Sequence, residues 1–429
     1  MLDLNPWSNI PKFNNSKYIA FNEDKNIFQN SSTTFLPRGL GRSYGDVCLN
    51  ENGYLVLMKD FKNVLEFDYV NGYINCQSGI SINEILEIIV PRGWFLPVVP
   101  GTSYVTLGGA IANDIHGKNH HHIGSFGNFI ESLELLNSKN EILICSEKTN
   151  TNLFHATIGG LGLTGIIKSA RVKLININNS YINSKTERYK SLEQFFEINE
   201  KELNNEYTVS WVDIGLNSDF RGVFHSGNHN LDRLHSKKNK NIKLTFPATP
   251  PVSLVNNISL NILNNFYYAI NKNSNKKLQS YKSFFFPLDV INKWNKAYGR
   301  KGFYQYQFLI PIEDSLKGIK KIIKTIKSYD QRPCLGVLKT FGSIESKGLI
   351  SFPQKGITLA LDFQNKGIKT LNMFNQLDEI VFDYGGRLYP AKDSRMSKES
   401  FQKSFENFDN FSEFIDPKFE STFFKRVTV

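Results

Sequence analysis

The sequence predicts an α+β protein built from two domains, on the evidence of its length and its local patterns. At 429 residues with 40% hydrophobic side chains, the chain is long for one core and natural for two. Ser81 and Glu84 form a capping box ahead of an apolar run, which predicts a helix over 81–89. Residues 207–213 and 358–363 have the composition and alternation of β-strands.

The most informative segment, residues 97–127, holds six glycines and few charges. Glycine lets backbone amides approach a ligand closely, and a run of such amides makes a concave site for an anion such as a diphosphate. Residues 108–112 predict the start of a helix whose amino end faces that anion. A glycine-rich surface loop is the alternative, but exposed loops are rarely this apolar.

A second glycine-rich loop covers residues 37–46 and follows a short strand-like run at 34–36. It contains Arg38 and Arg42, whose guanidinium groups suit phosphate oxygens. Two phosphate-binding loops about sixty residues apart indicate one long ligand with a diphosphate in its middle. A dinucleotide has that shape.

Residues 160–165 match the G-x-G-x-x-G pattern of a Rossmann dinucleotide fold. That fingerprint requires a helix immediately afterwards. Here residues 166–174 alternate and are β-branched, so a strand is predicted instead. A Rossmann site for NAD is therefore not expected at these glycines.

The two loops together resemble the FAD domain of the vanillyl-alcohol-oxidase, or PCMH-type, flavoproteins. The resemblance rests on Pro-Arg-Gly-Leu-Gly-Arg-Ser-Tyr-Gly-Asp at 37–46, Thr-Leu-Gly-Gly-Ala-Ile-Ala at 106–112 and Asp-Ile-His-Gly-Lys-Asn-His at 114–120. Within that superfamily the chain is similar to the decaprenylphosphoryl-β-D-ribose 2-oxidases, flavin subunits of an epimerase. Further motifs of that family lie at 286–289, 294–299, 302–308, 337–342 and 386–393.

The resemblance implies a domain organisation. Residues 1–178 would form the FAD-binding domain, in which two small α/β lobes clamp the diphosphate. Residues 179–386 would form a substrate-binding domain, an antiparallel sheet with helices on one face, covering the flavin. The C-terminal segment, 387–429, would return to the FAD domain.

The resemblance also implies FAD as cofactor. The expected FAD-binding residues are Arg38, Gly39, Gly41, Arg42, Ser43, Tyr44, Gly45, Gly101, Thr106, Leu107, Gly108, Gly109, Asn113, Ile115, His116, Ile167 and Tyr389. Superfamily members that attach FAD covalently often have histidine where this chain has Arg42. We therefore predict that the FAD is bound non-covalently.

By the same resemblance Lys392 lies at the reaction centre, as a base of lowered pKa or as an ammonium group that stabilises charge on the reduced flavin. The expected catalytic residues are Lys392, His116, Gln307 and Lys118. The expected substrate-binding residues are Tyr44, Lys118, Trp211, Gln305, Gln307, Lys339 and Lys392.

Two patterns near these residues have alternative readings. Gln305 and Gln307 are two apart on a predicted strand, so they share a face and suit either sugar hydroxyls or a structural bridge. His116 and His120 have a spacing found in helical metal sites, but Gly117 argues against a helix and no acidic or thiolate ligand completes a set. No metal site is predicted.

One position departs from the family pattern. Mycobacterial members have a cysteine on the strand that corresponds to 358–363, where this chain has Ala360. The pocket is expected to keep its shape and to lack that thiol. Reagents that trap it should therefore fail here.

The expected activity is FAD-dependent oxidation of the C2 hydroxyl of a polyprenylphosphoryl-ribose to a 2-keto sugar. That reaction is half of an epimerisation, which a separate NAD(P)H-dependent short-chain reductase would finish. The alternative enzyme is a soluble sugar or alditol oxidase that releases hydrogen peroxide. A non-enzymatic flavoprotein scaffold is disfavoured, because Lys392, Gln305 and Gln307 are all present.

The net charge of +11 indicates an anionic partner. Basic clusters at 237–241 and 272–277 flank an apolar stretch at 250–270, a pattern typical of contact with an anionic membrane or of a solvated insertion. No nucleic-acid recognition motif is present, so a nucleic-acid partner is not expected.

The four cysteines are isolated, and the first residues do not form a signal peptide. We expect a cytoplasmic protein or one peripheral on the inner membrane.

Overall fold

A computed structural model describes residues 3–13, 17–28, 32–215, 220–232 and 244–429. The strands of this part of the chain are β1 Lys17–Ala20, β2 Phe35–Arg38, β3 Tyr54–Leu57, β4 Val64–Asp68, β5 Tyr73–Gln77, β6 Trp94–Phe95, β7 Ile130–Leu136, β8 Ile142–Ser146, β9 Ile166–Lys173, β10 Ile175–Asn176, β11 Tyr181–Tyr189, β12 Tyr207–Asp213, β13 Arg221–His229, β14 Leu244–Thr245, β15 Ser274–Ser280, β16 Ile291–Asn292, β17 Phe303–Ile310, β18 Leu335–Phe341, β19 Gly356–Gln364 and β20 Arg387–Leu388. The α-helices are α1 Ile82–Ile89, α2 Leu107–Ala112, α3 His120–Ile123, α4 Thr151–Thr157, α5 Leu192–Glu202, α6 Asn257–Ile270, α7 Tyr281–Phe285, α8 Ile312–Ser328, α9 Ile368–Asp383, α10 Lys398–Ser404, α11 Phe408–Ser412 and α12 Thr422–Thr428.

The first part of the chain forms two small lobes. Three parallel strands in the order β1-β3-β2 make one sheet, and five antiparallel strands in the order β4-β5-β9-β7-β8 make the other. The predicted helix over 81–89 is confirmed as α1, with a reciprocal capping box between Ser81 and Glu84. Its apolar face, which includes Ile82, Ile85 and Ile89, is buried in the core of the second lobe.

The second part centres on an antiparallel sheet of eight strands in the order β15-β11-β13-β12-β18-β19-β17-β20. The predicted strand over 207–213 is confirmed as β12, and 358–363 lies within β19. Helices α5, α8 and α9 cover one face of the sheet, where isoleucines of α8 join a continuous apolar core. The α+β class is therefore confirmed.

Helix α6 packs on the opposite face of that sheet. The expectation that the helices lie on one face only is therefore wrong. The Tyr267 ring lies 4.7 Å from that of Trp211 on β12. The neighbouring Val212 belongs to the core beneath α5 and α8. Because successive side chains on a strand point to opposite faces, α6 and α5 lie on different sides of the sheet.

The glycines at 160–165 lead directly into strand β9. The strand predicted there is confirmed. It lies where a Rossmann fingerprint needs a helix. Helix α2 begins at Leu107 with Thr106 as its N-cap, close to the predicted start, but it ends after six residues.

The C-terminal segment contacts both parts of the molecule. Strand β20 pairs with β17 in the large sheet. Phe419 forms a bridge to Phe35 on β2, and Arg426 donates two hydrogen bonds to Asp46 in the first glycine-rich region. The domain boundaries at 178 and 386 stay predictions. Among the helices of the described ranges, none has the length and apolarity needed to cross a bilayer.

Candidate active site

One cavity opens between the two glycine-rich loops and the α6-side face of the large sheet. The predicted FAD-binding residues that line it are Arg38, Gly39, Gly41, Arg42, Ser43, Tyr44, Gly101, Thr106, Gly108, Gly109, Asn113, Ile115, His116, Ile167 and Tyr389. The predicted substrate-binding residues that line it are Tyr44, Gln305, Gln307, Lys339 and Lys392. The fold thus brings residues from six separate parts of the sequence to one cavity.

Four predicted site residues lie outside this lining. Gly45 packs directly on the backbone of Asp393, and Leu107 is buried in the core of the second lobe. Lys118 donates to the backbone carbonyl of Phe284, and Trp211 packs against Tyr267 on α6. The structure does not test their functional roles, which stay predictions.

The two arginines of the first loop differ in what they contact. Arg38 donates to the carbonyl of Cys48 at 2.5 Å and to that of Asn5 at 3.0 Å, so its guanidinium holds the loop together. The Arg42 guanidinium lies over the Trp7 ring at 4.1 Å, and its Nε has no hydrogen-bond partner. Arg42 is therefore the arginine of this loop with hydrogen-bonding capacity left for a ligand.

Polar contacts hold the second glycine-rich loop in position. Thr106 accepts a hydrogen bond from the Gly109 amide at 3.2 Å and so caps α2. Asp289 accepts from Thr102 and from both the amide and hydroxyl of Ser103, each at 2.7 Å. Asp289 also lines the cavity and joins this loop to the second part of the chain.

The sheet wall of the cavity is organised in cross-strand rows. Gln307, Ala360, Val337 and Trp211 lie opposite one another on four adjacent strands. In the next row Gln305 lies opposite Asp362. Paired residues of antiparallel strands share a face, so these side chains point to the cavity side of the sheet. The prediction that Gln305 and Gln307 share a face is confirmed.

Lys392 is the last residue of a 3-10 turn whose Ala391 carbonyl accepts a 2.9 Å hydrogen bond from the Tyr44 amide. Its ammonium lies 4.0 Å from the centre of the Tyr44 ring. Burial lowers the pKa of Lys392, and the Asp362 carboxylate partly opposes that shift. Burial raises the pKa of Asp362 well above its ordinary range. The Lys392 amine therefore lines the cavity within electrostatic reach of a fully buried carboxyl group.

Gln305 binds that carboxyl group, because its Nε2 donates to Asp362 Oδ1 at 2.5 Å. Within the part of the chain that the structure describes, the carbonyl oxygen of Gln305 and the second carboxyl oxygen of Asp362 have no partner. Both free atoms are hydrogen-bond acceptors suited to hydroxyl donors.

His116 lies deeper in the cavity. Its Nε2 is 3.2 Å from Gln307 Nε2, and its ring packs 4.7 Å from Phe341 and 5.4 Å from Tyr389. Burial, with the nearby Lys339 and Lys392, holds the pKa of His116 well below its ordinary value. The imidazole is therefore neutral at physiological pH.

Two further lysines are buried near this wall. Burial, reinforced by Lys392, lowers the pKa of Lys339 to about 7. Burial, reinforced by Lys339, also lowers the pKa of Lys118 to about 7. An anion placed beside Lys339 would favour its charged form.

Comparison with known proteins identifies the family. A profile described as FAD binding domain matches residues 26–146. Decaprenylphosphoryl-β-D-ribose oxidase from Mycolicibacterium smegmatis is 35% identical over 392 residues, which cover 87% of this chain and 84% of that protein. The chain belongs to the decaprenylphosphoryl-β-D-ribose oxidase family.

More distant relatives share less of the chain. Cytokinin dehydrogenase 1 from Arabidopsis thaliana is 28% identical over 42% of this chain and 35% of its own length. D-arabinono-1,4-lactone oxidase from Candida glabrata is 28% identical over 33% of this chain and 27% of its own length. Like these relatives, this member of the decaprenylphosphoryl-β-D-ribose oxidase family is an FAD-dependent oxidoreductase.

The residues of the cavity fit the FAD that the family uses. Buried polar atoms on Arg42, Asn113, His116 and Gln305 have no partner among the described residues, and all four residues line the cavity. A Cβ on Gly101 would meet nothing within 4 Å, so the loop leaves open space there. Unpaired buried donors and acceptors are costly unless a ligand satisfies them.

Sequence reasoning missed Asp362 and Asp289. Asp362 is a carboxylate on an otherwise apolar strand, two residues from Ala360, and this alternation was a signal that could have placed it on the cavity wall. Ala360 itself lines the cavity, as its alignment in the family predicts. Cys48 also lines the cavity, and burial raises the pKa of its thiol.

Proposed function

We propose that this protein oxidises the C2 hydroxyl of a polyprenylphosphoryl-ribose to a 2-keto sugar. The observation that carries the proposal is the pair of Lys392 and Gln305 on the wall of the FAD cavity, with the buried Asp362 bound to Gln305 behind them. It combines proton-transfer groups with acceptors for sugar hydroxyls, in a chain similar to a decaprenylphosphoryl-β-D-ribose oxidase over most of its length.

Bound FAD supplies the hydride acceptor, and the protein supplies position and proton transfer. Arg42, Asn113 and the glycine-rich loops would hold it. Alcohol oxidation also removes the hydroxyl proton, and Lys392 is the group placed to accept it. In its charged form the same lysine would stabilise negative charge on the reduced cofactor.

Gln305, held in place by Asp362, would orient the sugar through its free carbonyl oxygen. Lys339 would face the phosphate, because the charge of an anion favours the ammonium form that burial opposes. His116, whose imidazole is neutral, would hold the Gln307 side chain in position. A 2-keto product requires a later reduction to reach the epimer, so a separate NAD(P)H-dependent reductase is the proposed partner.

Anaerobic spectroscopy of the FAD-loaded protein tests this proposal. Polyprenylphosphoryl-ribose should bleach the flavin band, while free ribose and alditols should leave it unchanged. Bleaching by free sugars or alditols alone would instead favour a soluble sugar oxidase. No bleaching by any of them would overturn an oxidase acting on sugars.

A variant pair ties the reaction to the cavity. Lys392→Ala should lower the rate of bleaching by about 10²–10⁴-fold while retaining FAD, the range that loss of a positioned proton-transfer group produces. Lys369→Ala, on the exposed side of α9, should react as the wild type does. Equal rates of flavin bleaching in the two variants would show that Lys392 takes no part in the reaction.

A further inference from the structure

Helix α6 exposes several large apolar side chains. Its outer side carries Ile258, Ile262, Leu263, Phe266 and Ile270, which are between 57% and 73% exposed. We call these five side chains the α6 surface. Soluble proteins rarely present so many large apolar side chains together without a binding role.

Three asparagines of α6 bind polar side chains of the rest of the protein. Asn264 donates to Asp213 at 2.8 Å, and Asn265 accepts from Arg221 at 2.7 Å. Asn261 accepts from Arg332. These contacts fix the rotation of the helix, so the apolar side is directed outwards by a specific hydrogen-bonded network.

The α6 surface is continuous with the mouth of the cavity. Strand β14 pairs with β16, and the Leu254 amide donates to the Ala297 carbonyl at 2.8 Å, so the chain leading into α6 lies along 291–297. Leu288 and Ile291, both exposed, line the cavity. Exposed Leu244, Val252 and Leu254 fill the interval between this mouth and α6.

Positive charge lies at both ends of this apolar region. Residues 244–301 carry eight lysines and arginines and one acidic residue, Asp289, which is engaged with Thr102 and Ser103. Lys272, Lys276 and Lys277 are exposed beyond the C-terminal end of α6. Lys293 is exposed beside the mouth of the cavity. The second basic cluster that the sequence suggested, 237–241, lies outside the described residues.

We propose that the α6 surface docks on an anionic lipid bilayer, with the mouth of the cavity facing the membrane. Apolar side chains would enter the boundary between headgroups and acyl chains, and the lysines would contact anionic headgroups. This inference rests on the proposed function, because a lipid-linked sugar reaches the cavity from a membrane. Charge complementarity favours a bilayer over a second copy of this basic chain.

Vesicle co-sedimentation of the FAD-loaded full-length protein tests the proposal. The protein should sediment with vesicles of phosphatidylglycerol and phosphatidylcholine, and much less with phosphatidylcholine alone. The double variant Ile262→Glu/Phe266→Glu should lower the bound fraction at least about tenfold, since two buried apolar anchors are replaced by carboxylates. Ile368→Glu, which changes an isoleucine 70% exposed on α9, is the matched control and should bind as the wild type does.

The outcomes separate docking from catalysis. No sedimentation of the wild type, or equal sedimentation of the double variant, overturns the proposal. Dissociation of a wild-type dimer by the double variant, without any vesicle binding, would assign the surface to self-association and also overturn it. Flavin bleaching by detergent-dispersed polyprenylphosphoryl-ribose should be unchanged in the double variant. Vesicle binding without such bleaching in the wild type would overturn the proposed function and leave docking supported.

Discussion

The electrostatic influence of Asp362 on Lys392 is the most consequential interaction between single residues. The carboxylate raises the pKa of Lys392 against the effect of burial, so Asp362→Asn should lower that pKa further. If the neutral amine is the base, the acid limb of the profile of kcat/KM against pH moves to lower pH. If the ammonium is the active form, the alkaline limb moves to lower pH instead.

The pH profile of flavin reduction therefore measures both the coupling and the role of the lysine. Asp383→Asn, at the exposed end of α9, is the control and should leave both limbs in place. An unchanged profile in Asp362→Asn would show that the two groups do not interact during the reaction.

The arginine at position 42 leads us to predict that FAD is bound non-covalently. Its guanidinium lies over Trp7, at the position where the resemblance to the superfamily leads us to expect histidine in members with covalent FAD, and burial raises the pKa of the Cys48 thiol that also lines the cavity. Denaturing the protein with acid or heat should release all of its flavin into the supernatant. Yellow colour remaining with the precipitated polypeptide would contradict non-covalent binding.

Individual residues were predictable to the extent that a local motif contained them. The loop residues and Lys392 belong to contiguous motifs, and nearly all of them line the cavity. Asp362 was missed because its role depends on Gln305 and Lys392, which other segments of the chain supply. Arg38 was expected to face phosphate, but long-range carbonyl contacts engage it within the protein.

At the scale of elements, the first glycine-rich loop is joined tightly to the turn that carries Lys392. A Cβ on Gly45 would lie 1.6 Å from the Asp393 carbonyl oxygen, so Gly45→Ala must displace one segment from the other. We expect a loss of about 1–3 kcal/mol in the free energy of unfolding, the usual effect of overpacking. Urea denaturation of the flavin-free protein measures it.

Gly101→Ala provides the comparison in the same flavin-free protein. Its added Cβ would meet no atom within 4 Å, so the urea midpoint should stay at the wild-type value. Equal midpoints for the two variants would show that the contact between the loop and the turn can relax freely.

The elements differ in how well the sequence specified them. Helix α1 has a local capping box, and strands β12 and β19 have local alternation, so short-range patterns were sufficient. Helix α6 was different, because its apolar and polar residues were visible but their orientation was not. Its asparagines bind partners on β12, on β13 and at Arg332, which are distant in sequence.

At the scale of the whole molecule, the cavity exists because distant segments meet. The glycine-rich loops supply one wall, the antiparallel sheet supplies another, and the C-terminal segment closes the site between them. The two-part α+β architecture followed from sequence length and family motifs. The position of α6 beside the cavity mouth depends on long-range pairing and became visible only in the folded structure.

The most direct measurement follows a deuterium atom placed at C2 of the ribose in polyprenylphosphoryl-ribose. Under anaerobic conditions with FAD-loaded protein, the deuterium should slow flavin bleaching and be absent from the keto product, because C2 donates the hydride. The Lys392→Ala protein should leave the label in place over the same interval. Bleaching at an unchanged rate, with deuterium retained in the oxidised product, would contradict oxidation at C2.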